Sequence, residues 1–148
     1  MDLQVETSAR ALGLDCGALT VDEIVAWADS VILNEPDYDL RLLDLSLAKT
    51  RHAAMSALEA FGRSQEASRV ARRAFGFFHA ALMSGQADCR KIAFALYLMT
   101  SISHPVLGPQ NDAQMESFYA AFDPDEGVDV DIETVKADML AYLHANME

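Results

Sequence analysis

The sequence predicts an all-α fold, a single-domain irregular bundle of six to eight helices over residues 1–148. Three observations point there. Hydrophobic residues fill 51% of the 148 positions while Gly and Pro number only 7 and 4, so helix formers dominate and breakers are scarce. Apolar residues recur at spacings of three and four along most of the chain. Only Leu43, Leu45 and Leu47 alternate as a strand would, and a strand without a partner leaves its backbone groups unpaired. A chain of this length and apolar content is expected to build one core.

The first helix is expected over Leu3 to Leu14, ending near Gly13 or Gly17. Thr20-Val21-Asp22-Glu23 matches a capping box: the Thr20 hydroxyl accepts from the Glu23 N–H, and the Glu23 carboxylate accepts from the Thr20 N–H. Behind it Val21, Ile24, Val25, Ala28, Val31 and Ile32 share a face with Trp27 at its edge. Pro36 stops that helix, because the residue before a proline avoids the helical region.

Between Tyr38 and Ala48, the leucines Leu40, Leu43 and Leu47 also fit one helical face, and Asp37 or Asp39 can start it. Thr50 to Phe61 places Ala54, Leu58 and Phe61 together; Gly62 ends the helix and Ser64 can cap the next. Gln65 to Ser84 is the clearest amphipathic stretch. Ala67, Val70, Ala71, Ala74, Phe77, Phe78 and Ala81 line one side, and Gln65, Arg69, Arg72, Gly76, His79 and Met83 the other, with Gly85 as C-cap. Lys91 to Ile102 is apolar almost all round, the pattern of a central buried helix. After the turn-rich Ser103 to Asp112, Asn111 or Asp112 is expected to cap a short helix bearing Met115, Phe118, Tyr119 and Phe122. Asp131 caps the last helix, with Ile132, Val135, Met139, Leu140, Leu143 and Met147 turned inward.

Charge narrows the function classes. Eleven Lys and Arg face 23 Asp and Glu, a net charge of −12. Both flanks are acidic, and the basic residues concentrate between Lys49 and Lys91. Most of this surface repels phosphate backbones, so no nucleic-acid partner is expected. No apolar run has the length of a membrane span, and Met1 to Arg10 does not have the form of a secretory leader. Cys16 and Cys89 lack CxxC spacing and read as free buried thiols of a cytoplasmic protein.

Asp123 to Glu133 holds six carboxylates in eleven residues. A calcium loop of the EF-hand type started at Asp123 would put Gly127 where a ligand belongs, Val128 at the glycine position and Thr134 at the closing glutamate, so the register fails. No metal and no cofactor is expected. Asp131 and Glu133 are accounted for by the positive end of the last helix. Asp125, Glu126 and Asp129 are not, and they either solvate the surface or meet a basic partner.

Arg69, Arg72 and Arg73, with His79 further along, form a basic stripe. It either pairs with the acidic flanks or holds a phosphate or carboxylate ligand. No nucleophile, Walker, dinucleotide or zinc-ligand motif is present, and a catalytic role is not expected. The reading that follows is a non-catalytic protein of the inhibitor, immunity or adaptor kind, whose acidic flanks steer a basic protein partner. Its contact residues would be Glu35, Asp37, Asp39, Asp125, Glu126 and Asp129. The alternatives are an anion-binding or enzymatic domain built on Arg69, Arg72, Arg73 and His79, and a self-associating module with a homodimer seam along Phe75 to Met83 and Tyr97 to Ile102.

Overall fold

A computed structural model describes residues 1–101, 106–122 and 131–148. Eight α-helices run through them. They are α1 (Leu3–Asp15), α2 (Val21–Asn34), α3 (Arg41–Ser46), α4 (Arg51–Glu59), α5 (Ala67–Ser84), α6 (Cys89–Ser101), α7 (Pro109–Ala120) and α8 (Ile132–Asn146). The all-α bundle expected from the periodicity is the observed architecture. None of these helices is long and apolar enough to cross a membrane.

Local chemistry sets most of the boundaries. At α1, the Asp2 carboxylate accepts from the Val5 N–H at 3.1 Å. The capping box is complete at α2, with both reciprocal bonds at 3.1 Å. Thr50 caps α4 through the Ala53 N–H. Asp131 caps α8, accepting from the Glu133 and Thr134 N–H groups. Gly85 ends α5 at φ 77°, a left-handed conformation that other residues rarely adopt.

Several expectations are corrected. Ser64 is not the cap of α5; that position is Glu66, and the Ser64 hydroxyl accepts from the Glu66 N–H at 3.1 Å. Neither Asn111 nor Asp112 caps α7. Gly108 at φ 98° is the cap and Pro109 takes the first helical position, where its missing N–H costs nothing. The fit of Leu40, Leu43 and Leu47 to one helical face is real, but that face looks outward; Leu42 and Leu45 are the buried residues of α3. Helix α6 is not buried all round: Ile92, Ala93, Leu96 and Met99 face the core while Phe94 and Tyr97 are exposed. Ile132 is exposed as well.

The buried residues sort into two clusters rather than the expected one. The larger gathers Val5 and Ala9 of α1 with the inner faces of α5 to α8, centred on Phe75, Phe78, Leu96, Met115, Met139 and Leu143. The smaller gathers Leu14 with Ile24, Ala28, Leu42, Leu45, Ala54, Leu58 and Phe61 of α2 to α4. Helix α1 serves both: Val5, Ala9 and Leu12 face the larger core, and Leu3, Ala11 and Leu14 face the smaller. The seam between the two lies along α1, with α2 on one bank and α5 on the other. Cys16 and Cys89 are free and buried.

Candidate functional site

Of the acidic residues expected to meet a partner, Glu35 and Asp37 lie exposed in the turn between α2 and α3. Neither has an ion-pair partner among the described residues. Asp39 is different. Its carboxylate receives Nη2 of Arg41 at 2.6 Å and Nε at 3.0 Å, and it accepts the Arg41 backbone N–H at 2.9 Å. These hydrogen bonds hold its pKa down to about 2. It is ionised but already answered. Asp125, Glu126 and Asp129 lie outside the described residues, as do His104 and Ile102.

The same region carries an apolar surface that periodicity alone did not orient. Leu33 is 84% exposed, Leu40 72% and Leu47 73%, with Leu43 between the last two on the same face of α3. Asp44 stands exposed on that helix, and Asp29 accepts a hydrogen bond from the Ser46 hydroxyl.

The arginine stripe is divided among separate partners. Arg69 faces Glu66 at 2.8 Å and Asp2 at 3.5 Å. Arg72 donates to the Asn146 carbonyl at 3.0 Å and ties the end of α8 to α5. Arg73 donates through Nε to both oxygens of Glu6, at 3.0 and 3.2 Å, and lies over the Phe77 ring. His79 is half-buried against the ring of His144, 5.6 Å between centroids. The four residues therefore do not converge on one anion. Phe75, Phe78 and Leu82 are core residues of the larger cluster and are not available as a dimer seam; Met83, Phe94 and Tyr97 are exposed.

A buried charged constellation that the sequence did not single out lies on α1. Arg10 on α1 is only 6% exposed. Its Nη1 donates to the carboxylate and the carbonyl of Glu6, one turn back. Its guanidinium carbon lies 3.8 Å from the Trp27 ring centroid and 5.0 Å from that of Phe77. Burial would push the Glu6 carboxyl pKa up, but hydrogen bonds and positive charge from Arg10 and Arg73 outweigh it and hold it below its ordinary value. Burial also lowers the pKa of Arg10, and its pairing with Glu6 opposes that. The readable signal was the Glu6–Arg10 spacing of four and Trp27 at the edge of its helix face. Neither announced burial.

Two cavities open near α1. One of about 530 Å³ is lined mostly by apolar side chains, Leu12, Leu58, Val70, Ala71, Met99 and Val106 among them, and no buried charge converges on it. The other, about 450 Å³, runs along the seam between α2 and α5 and includes Arg10, Glu23, Trp27 and Phe77 in its wall. Comparison with known proteins finds no match: no family model, no curated protein and no solved structure is similar to this chain.

Proposed function

We propose that this chain is a non-catalytic, cytoplasmic interaction protein that binds a basic protein partner through the end of α2, the following turn and α3. The observation that carries this reading is the exposure of Leu33, Leu40, Leu43 and Leu47 in the same stretch as the exposed carboxylates of Glu35, Asp37 and Asp44, which have no ion-pair partner among the described residues. Single exposed leucines are ordinary on protein surfaces. Three on α3 and its caps, where the other leucines are fully buried, with a fourth at the end of α2, are what an apolar contact patch requires. The surrounding acids supply the charge complementarity: they steer a basic surface in, and the leucines hold it once water is excluded. Asp39 contributes little, because Arg41 neutralises it. The two free cysteines accord with a reducing compartment. The division of Arg69, Arg72 and Arg73 among internal partners weighs against the stripe as an anion site.

The test is comparative capture from lysate of the source cells, eluted with a salt gradient. Three baits are used: wild type, Leu40→Ser/Leu43→Ser/Leu47→Ser, and Glu35→Gln/Asp37→Asn/Asp44→Asn. A basic protein retained stoichiometrically by wild type should be lost from the leucine variant and should leave the neutralised variant at lower salt. An identical retained set on all three baits would sink the assignment of this surface.

A further inference from the structure

We infer that the groove between α2 and α5 is a binding site for a small monocarboxylate with an apolar body, its carboxylate held by Arg10. This site is separate from the acidic surface on α3, and it rests on different residues.

Burial of Arg10 is costly. A guanidinium withdrawn from water must have its donors met and its charge answered. Only Nη1 is met, by Glu6. Nε and Nη2 have no acceptor among the described residues, and neither is sealed off: the one enclosed, unpartnered side-chain polar atom among those residues is Oδ1 of Asp112. Together Nε–H and Nη2–H form the side-on fork of the guanidinium, two parallel donors that match the two oxygens of a carboxylate. Stacking on Trp27 fixes the plane of that fork in advance.

The local charge favours an anion. Arg10 and Arg73 share one carboxylate, that of Glu6. The Glu6–Arg10–Arg73 triad therefore keeps a positive charge, in a protein whose net charge is −12. At the rim, Glu23 is exposed and accepts from the Thr20 N–H and from Nε2 of Gln86. It weakens the pull of the site on any anion, and most on a doubly charged one, which favours a monoanion over phosphate or a dicarboxylate. Leu19, Ile24, Trp27, Phe77 and Ala80 make the apolar part of the wall, and Ser84 and Gln86 add polar groups to it. A volume of about 450 Å³ lies in the range of small-ligand pockets, and gaps between helices of a bundle are a usual place for them.

Trp27 is the single tryptophan of the chain, so its fluorescence reports from the wall of the site. Benzoate is titrated against benzamide, its neutral isostere, and against inorganic phosphate. The expected result is a saturable change with benzoate in the millimolar range or below, with benzamide and phosphate at least roughly tenfold weaker. Arg10→Lys keeps the charge and loses the fork, and it should weaken benzoate by at least roughly tenfold. Ala80→Phe fills the groove from an exposed position on α5, leaves the Arg10–Glu6 pair in place, and should abolish the response. Far-UV circular dichroism verifies each fold, and if Arg10→Lys does not fold, Ala80→Phe decides alone. No saturable response to benzoate, an equal response to benzamide or phosphate, or a response that survives Ala80→Phe would each overturn the proposal.

Discussion

A guanidinium that is 6% exposed persists only where its charge is answered, and at Arg10 the answer comes from Glu6 and two aromatic rings. Removing it by Arg10→Ala leaves Glu6 half-buried with Arg73 alone. The expected loss is about 2–3 kcal/mol in urea denaturation, below the full cost of breaking a buried pair because Arg73 remains. Glu6 also sets an acid dependence. Its folded pKa lies below 4.5, so the stability it contributes is present above that value and is lost as pH falls through the folded pKa. Glu6→Gln should therefore flatten the fall in stability below pH 4.5, measured by urea denaturation across that range. Cys16 acts at the other end. Burial raises its thiol from 9.0 to about 11, so the folded state is favoured below 9 and loses roughly 2–3 kcal/mol as pH rises through about 11. Cys16→Ala should remove that part of the alkaline decline. At this scale the sequence showed the Glu6–Arg10 spacing but not its burial, because a helix position becomes buried only when other helices arrive.

At the scale of the helix, the caps of α2 and α8 were readable because their physics is local. Thr20 and Asp131 each bond to an N–H two or three residues ahead, within one turn of chain. Thr20→Ala should cost about 1 kcal/mol by thermal or urea denaturation, since two reciprocal bonds depend on that residue. The start of α7 escaped because two plausible caps, Asn111 and Asp112, sit just inside a helix that Pro109 begins. Helix α3 shows the limit most clearly. Its leucines occupy both faces, so the pattern fits a helix without saying which face is inward. The structure predicts opposite consequences for neighbours: Leu42→Ala should cost about 2–4 kcal/mol as a cavity in the smaller core, whereas Leu43→Ser should stay within about 0.5 kcal/mol. Equal costs in urea denaturation would contradict the orientation of α3.

For the whole molecule the governing facts are two cores sharing α1 and a net charge of −12. Excess like charge opposes the compact state, and salt screens it. The melting temperature should therefore rise between low ionic strength and about 0.15 M salt. A fall would mean that screened surface pairs such as Arg51–Asp15 outweigh the general repulsion. Helical class, the starts of α2 and α8, acidic flanks and most of the inner face of α5 were determined by the sequence itself, because each depends on residues within a few turns of one another. What only the tertiary structure decided is the split of the core in two, the outward turn of Leu40, Leu43 and Leu47, the dispersal of the arginine stripe onto Asp2, Glu6, Glu66 and Asn146, and the burial of Arg10. Each of these sets which surface a side chain loses to a distant helix, and periodicity along one helix contains no term for the helix it will meet.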